Sequence, residues 1–365
     1  MHVIEKSPEF GEIGAGLQLA PNATGVLHRL GILEDVLAHA VLPARLVMRD
    51  ALTGDSLISM DLGAPFRQRF GFPYVVAHRA DLLNAELRAC RLDSRITLEA
   101  GLEAVSIEDL GDAARVICAD GTTYECDSVV GADGLWSRTR TLIHDDGPPV
   151  CAQAVAYRAT VPFDQLPEDV DVEAMTIFVG PGVHFVQYVV RPGELLNQVA
   201  VFRSDAFRPG DEHSDAWGTP EELDEHFGPL CSRVRSGIAR IDRARRWTMF
   251  DRLPIPAWTK NRITLLGDAA HTMLQFAAQG ACQALEDAVT LGAVMAREPD
   301  DRRAFLEYEA RRRPRTARVQ QTARWLGDLF HASGGDAARR ADMFAGRSPQ
   351  DYSYVDWLYS AGGRW

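Results

Sequence analysis

The stretch ITLLGDAAHTMLQFAAQGACQALED, residues 263 to 287, limits most tightly what this chain can fold into. Ile263-Thr264-Leu265-Leu266 is a short apolar run with β-branched members, as a strand covered on both faces requires. Gly267 and Asp268 end it. Ala277, Ala278, Gly280 and Ala281 follow, and such small residues let backbone come close to a flat ligand. A helix beginning near Gly280 aims unpaired N–H groups at that ligand and favours negative charge there. A carboxylate at a strand tip, here Asp268, suits a polyol hydroxyl, which it binds as acceptor. Together these features describe a site for a sugar-bearing cofactor whose head group becomes anionic. A glycine-bounded strand, turn and helix serving only the core fits the same residue types.

The start of the chain reads the same way. Val3-Ile4-Glu5 resembles the end of a parallel strand with an acidic residue at its tip, which in a dinucleotide fold accepts hydrogen bonds from a ribose. Such a tip normally follows a first strand, a GxGxxG turn and a helix, and here nothing precedes it. Either Glu5 is a surface residue, or the natural protein begins roughly thirty residues upstream, the size of one βαβ unit; the remaining motifs favour the second. Phe10 to Asn22 is a glycine-rich loop, with Gly11, Gly14 and Gly16, leading into a helix from Pro21 towards Gly31.

At 365 residues the chain is long enough for two lobes. A net charge of −12 argues against a nucleic-acid partner, although local arginines can still receive an anionic small molecule. The six cysteines form no CxxC pair and have no zinc-like spacing with histidine, so no metal site is expected; they read as small buried residues in a reducing cytoplasm. No run approaches the ~18 apolar residues of a membrane helix, and no signal peptide is indicated.

Between the ends, Leu46 to Leu62 alternates as a β-hairpin turning at Thr53-Gly54-Asp55. Val75 to His78 is a strand that delivers Arg79 just before a helix, where an arginine reaches a phosphate or a ring edge, or stands exposed. Residues 96 to 127 read as antiparallel strands. Ser128 to Gly131 is a second apolar strand ending in Gly-Ala-Asp133-Gly, with a helix after it. From Cys151 the pattern becomes an open antiparallel sheet. On one of its strands, period two puts His184, Val186 and Tyr188 on one face. A His and a Tyr so placed could act on a phenol; a buried aromatic stack with a satisfied His is the alternative. Residues 220 to 241 read as helical, as do 281 to 296 and 302 to 329. The run Arg311 to Arg318 reads as a solvated helix face. The aromatic end, with Tyr352, Tyr354, Trp357, Tyr359 and Trp365, reads as a tail packed on the body.

GAGLQLAPN, HRADL, GADGLWSR and LLGDAAH…AAQGACQALED occur in this order along the chain. In this it resembles the single-component FAD-dependent aromatic hydroxylases, a group that includes salicylate and 4-hydroxybenzoate hydroxylases. The HFVQY segment, Gly193 to Phe202, Gln275, and the closing Tyr352 to Leu358 are most similar to the 3-hydroxybenzoate 6-hydroxylases. The resemblance implies an α/β fold: a Rossmann-like FAD-binding domain (1–150 and 255–300, lacking its first βα unit) interleaved with a substrate-binding β-sheet region (46–75 and 151–254), plus C-terminal helices and tail (301–365). It implies a phenolic aromatic acid as substrate, O₂, NADH or NADPH as co-substrate, a cytoplasmic enzyme and a possible homodimer. By position, Glu5 would hold the adenosine ribose, Gln18 and Arg79 would line the flavin and pyrophosphate, and Leu102 would flank the adenine. Asp133 belongs to the same cofactor site. Asp268 would bind the ribityl chain, and Gly280 with Ala281 would present N–H groups to the pyrimidine edge. His184 and Tyr188 would contact and deprotonate the substrate phenol, and Gln275 would hydrogen-bond the substrate. An ordinary His near 6.5 against a phenol near 10 leaves ~3–4 pH units for the site to offset.

Two departures stand out. The opening strand and GxGxxG turn of the group are missing, which predicts that this exact chain binds FAD poorly, and Thr272 stands where many relatives carry proline. Other substrates of the same chemistry (salicylate, a hydroxynicotinate, a natural-product phenol) and a non-catalytic remnant that no longer holds flavin are the competing readings.

Overall fold

The structure is a computed structural model that describes residues 1–11, 16–167 and 169–360. Gly14 and Trp365, singled out from sequence, lie outside the described residues. In chain order the strands are β1 (His2–Glu5), β2 (Gly16–Leu19), β3 (Arg45–Asp50), β4 (Ser56–Asp61), β5 (Val75–His78), β6 (Thr97–Ala100), β7 (Ala104–Asp109), β8 (Ala114–Cys118) and β9 (Thr123–Cys126). They continue with β10 (Val129–Gly131), β11 (Val150–Pro162), β12 (Ala174–Gly180), β13 (Val183–Arg191), β14 (Leu195–Arg203), β15 (Arg246–Asp251), β16 (Thr259–Lys260) and β17 (Ile263–Leu265). The helices are α1 (Pro21–Arg29), α2 (Leu33–Leu37), α3 (Ala64–Phe70), α4 (Arg79–Leu92), α5 (Arg138–Ile143), α6 (Pro220–Phe227), α7 (Ser232–Ile238), α8 (Asp268–His271), α9 (Gly280–Met295), α10 (Asp301–Phe330), α11 (Gly334–Phe344) and α12 (Asp356–Tyr359).

Two parallel pairs mark the dinucleotide-type part. β1 runs beside β6, and β10 beside β17, so Glu5, Gly131 and Leu265 all end strands of the same kind. The expectation of an antiparallel run from 96 to 127 holds for β7, β8 and β9 but not for β6. β6 pairs instead with β1, because the chain turns through Gly101, at φ +79°, before β7 begins. The glycine-rich loop also ends earlier than expected: Gly16 to Leu19 is a strand, antiparallel to β5.

The large sheet has seven strands in the order β15-β11-β14-β13-β12-β3-β4. Alternate residues of its strands feed two different cores. Val155, Tyr157, Val183, Phe185, Ala200 and Phe202 face α6 and α7, where Trp217, Leu223, Phe227 and Val234 complete a buried cluster. Each fully buried side chain of this kind contributes about 1.5–3 kcal/mol. Helix α6 is fixed by a capping box, in which the Thr219 hydroxyl accepts from Glu222 N and Glu222 reaches back to the Thr219 N–H. The segment 220–241 is thus two helices, α6 and α7, rather than one. The opposite face of the sheet, with Met175, Ile177, Val186 and Tyr188, joins β2, β5, α1 and the first turns of α9.

Helix α10 carries Pro314 in its interior, on the exposed side, where water can serve the freed carbonyl. The arginine run on this helix is a solvated face only in part: Arg311 and Arg318 are exposed, whereas others turn inward. Arg312 is 2% exposed and Arg315 half-buried, because Glu286 and Asp287 of α9 lie fully buried opposite them. Arg315 also donates to the carbonyls of Trp357 and Leu358, and Arg318 stacks 3.8 Å above the Trp357 ring. The aromatic tail is therefore packed on the body, with Tyr352 and Tyr359 set edge-on against Phe66 and Phe70.

Candidate active site

At the end of β17 the backbone turns through Gly267, at φ +62° and ψ −137°, a conformation essentially reserved for glycine. A Cβ there would stand 3.3 Å from Ala284. The turn is held from beneath. Gly267 N donates to Asp287 Oδ2 at 3.1 Å, His271 Nε2 donates to the same oxygen at 2.6 Å, and Arg312 Nε donates to Asp287 Oδ1 at 2.6 Å. Burial pushes the Asp287 carboxyl up, but His271 and Arg312 outweigh it and hold it below its usual value.

This support leaves Asp268 pointing into an open cleft at the start of α9. Its Oδ1 lies 4.0 Å from where a Cβ on Gly280 would stand, and that Cβ would meet nothing nearer. By surface area Asp268 is exposed, yet it sits deep among protein atoms. That depth raises its carboxyl, while His271 and Arg79 pull it down. Asp268 and Gly280 thus face each other where α9 begins, with Ala281 next in that helix and Arg79 near enough for its charge to act on Asp268.

The other cofactor candidates are more dispersed. Glu5 Oε1 accepts from Ser7 N at 2.8 Å, and the Glu5 carbonyl accepts from Leu102 N at 2.9 Å, so these two sit side by side. Gln18 Oε1 accepts from the Tyr74 hydroxyl at 2.7 Å. Asp133 is engaged locally: it accepts from Arg138 N, Thr139 N, Thr139 Oγ1 and Ser137 Oγ, and so ties down the start of α5.

The sheet supplies the second half of the site. Register places Ala156, Val201 and His184 in one cross-strand row, Arg158, Val199 and Val186 in the next, and Thr160, Asn197 and Tyr188 in the third. All point to the face that β2 and the 275–277 turn cover. Gly16 allows this close approach, since a Cβ on it would fall 2.6 Å from Asn197 Cγ and 2.7 Å from the Tyr188 oxygen. Gly16 N donates to Asn197 Oδ1 at 2.8 Å. Gln275 reaches in from the loop before α9, its Oε1 accepting from Arg158 Nη2 at 3.0 Å.

His184 is 2% exposed, and its Nδ1 shares a 2.8 Å hydrogen bond with His331 Nε2. The rings of Phe276 and Phe330 pack against it. Burial drives the His184 pKa down to about 3. The distance to a phenol near 10 is therefore about 7 pH units, wider than the sequence alone suggests, because among the described residues no carboxylate pairs with the ring. Burial pushes Tyr188 up to about 12, so it stays a protonated donor. Arg158 and His331 are missed by sequence reasoning. An arginine on a strand and a histidine at a helix end carry no motif, and only strand register and the end of α10 bring them here.

A model of the FAD binding domain family matches residues 1–323. The chain belongs to this family. The 3-hydroxybenzoate 6-hydroxylase 1 of Aquipseudomonas alcaligenes is 39% identical over 98% of this chain and 90% of its own length. The 3-amino-4-hydroxybenzoate 2-monooxygenase of Streptomyces cremeus is 35% identical over 98% of this chain and 88% of its own. Among solved structures, Klebsiella pneumoniae HpxO complexed with FAD and uric acid superposes with a TM-score of 0.84 at 23% identity, covering 99% of this chain and 96% of that one. The resemblance drawn from the sequence motifs holds, and the chain is a flavin-dependent aromatic monooxygenase by family. The remnant reading is not favoured. The cleft beside Asp268 fits the cofactor on its own geometry: an open helix start, an exposed carboxylate facing it, and space beside Gly280 that a side chain would fill.

Proposed function

We propose that this protein hydroxylates a phenolic aromatic acid with NADH and O₂, most specifically 3-hydroxybenzoate para to its hydroxyl, giving gentisate, NAD⁺ and water. The observation that carries this reading is the sheet face on which His184 and Tyr188 stand four residues apart, with Val186 between them, beneath Gln275. An otherwise apolar surface with a few convergent polar groups suits a flat aromatic acid.

Bound FAD supplies the chemistry that takes reducing equivalents from NADH and delivers oxygen to the ring. The chain's own residues position and polarise. Asp268 would accept from ribityl hydroxyls and Glu5 from the adenosine ribose. Gly280 and Ala281 would aim N–H groups at the pyrimidine edge and favour negative charge there. Gln18, Arg79 and Leu102 would complete the cofactor's surroundings, and Asp133 would shape its edge by holding α5 in place. His184, neutral at working pH, would accept the phenol O–H, and His331 would fix the ring through Nδ1. Proton loss from the phenol enriches the ring for electrophilic attack. With the imidazole so hard to protonate, His184 serves first as acceptor, and becomes a better base once an anionic ligand lies beside it. Tyr188 would donate to the same oxygen.

The test is NADH oxidation with the flavin-loaded protein across hydroxybenzoates, salicylate and 6-hydroxynicotinate, with the products identified. Gentisate from 3-hydroxybenzoate is expected. His184→Ala and Tyr188→Phe should lower ring hydroxylation at least tenfold, the lower range for a positioned proton-transfer group. Unchanged hydroxylation in both variants would refute the assignment.

A further inference from the structure

We propose that Arg158 receives the carboxylate of the aromatic acid; this rests on the proposed substrate class and adds the residue that recognises its charge. Arg158 stands on β11 in the row between those of His184 and Tyr188, on the same face. Two strand spacings, about 10 Å, separate the β11 and β13 backbones, a span that an Arg and a His side chain close with one ring between them. The neighbours in its row, Val199 and Val186, are apolar.

The side chain is incompletely satisfied by the protein. Nη2 donates to Gln275 Oε1, and the guanidinium lies 5.4 Å from the centre of the Trp247 ring. Nε is buried without a hydrogen-bond partner. Among the described residues Arg158 makes no ion pair, whereas the buried Arg140, Arg252 and Arg312 each hold a carboxylate. A cation placed against apolar surface without a counter-ion is costly. Desolvation and the neighbouring charge of Arg79 both disfavour its charged form. A ligand carboxylate supplies what is missing: it meets the fork of the guanidinium in two parallel hydrogen bonds and offsets both penalties. Trp247 fixes the plane of the fork. Because Arg158 occupies the Gln275 oxygen, the Gln275 amide nitrogen remains as a second donor to the same ligand.

The experiment uses the flavin-loaded protein and its Arg158→Gln and Arg158→Lys variants. Calorimetric Kd values are measured for 3-hydroxybenzoate and for its neutral isostere 3-hydroxybenzamide, alongside kcat and KM for the acid. Wild type should prefer the acid. Arg158→Gln should weaken acid binding on the order of 10²-fold and amide binding by less than about threefold, the scale of one charge-assisted pair. Arg158→Lys should fall between, and KM should move more than kcat. Equal weakening of acid and amide, or an unchanged acid affinity, overturns the proposal while leaving the substrate class standing. If Arg158→Gln does not fold, the acid-to-amide ratio of Arg158→Lys decides, and an unchanged ratio overturns it. If wild type prefers no aromatic acid over its amide, the substrate class itself fails and this proposal with it.

Discussion

Arg312→Met tests the reasoning about the buried ion cluster most directly. The wild-type guanidinium donates to Asp287 Oδ1, to Glu286 Oε2, and to the carbonyl and side-chain oxygen of Gln283 at 3.2 and 2.8 Å. Both carboxylates are 0% exposed. Methionine keeps most of the volume but leaves Glu286 with Arg315 as its only cation, beside the amides of Asn22 and Gln283, and Asp287 with His271 and the Gly267 amide. Removing one partner of a buried pair costs about 3–5 kcal/mol, because the other charge stays buried. At about 2.1 cal/mol/K per residue, the unfolding entropy of 365 residues is roughly 0.8 kcal/mol/K, so Tm should fall by about 4–7 °C. Calorimetric melting of wild type, Arg312→Met and Arg312→Met/Asp287→Asn measures this. The double variant should regain part of the loss, since it also removes a stranded charge. A single-variant cost below about 1 kcal/mol, within the range of exposed pairs, or no recovery in the double variant, would refute the claim that the cluster holds α10 to the Gly267 turn.

Other expectations concern the sheet face and its supports. Above pH 6.5 the depressed His184 pKa costs nothing. Between pH 6.5 and 5.0, keeping the ring neutral in the fold costs about 2 kcal/mol of stability. Urea midpoints at the two pH values should therefore shift less in His184→Gln than in wild type; parallel shifts would contradict the burial argument. Gly16→Ala drives a methyl to within 2.7 Å of the Tyr188 oxygen, and should cost about 1–3 kcal/mol and weaken calorimetric binding of the aromatic acid. Tyr157→Phe leaves the Gly218 carbonyl without the hydroxyl that donates to it at 2.7 Å, which should cost about 1–3 kcal/mol in a urea titration with hydroxylation rate unchanged.

Local chemistry in the sequence reached the strand–turn–helix at Gly267, the hairpin β3–β4, and the shared face of His184 and Tyr188. Each is written in residues close together in the chain. What escaped depends on partners far away. The parallel pairing of β6 with β1 joins segments almost a hundred residues apart, and nothing in Thr97 to Ala100 states its partner. The arginine run on α10 alternates like any exposed charged helix, and Arg312 within it is buried only because Glu286 and Asp287 face it. Arg158 looks like one arginine among many until register sets it between His184 and Tyr188. The pKa of His184 likewise could not be read from its neighbours in sequence, since burial by Phe276 and Phe330 sets it.

The two-core construction of the large sheet divides the strands into two classes of position by parity alone. Residues 156 and 160 on β11, 186 on β13, and 199 and 201 on β14 can be altered in search of new ring substituents around a fixed Arg158, His184 and Tyr188. Their immediate neighbours, such as Tyr157, Phe185 and Phe202, cannot, because they fill the core under α6 and α7. The loop before α9 adds Leu274, Gln275 and Phe276 to the same surface. Substrate choice can therefore drift, in nature or in a library confined to alternate codons, while the oxygen chemistry and the fold are left as they are.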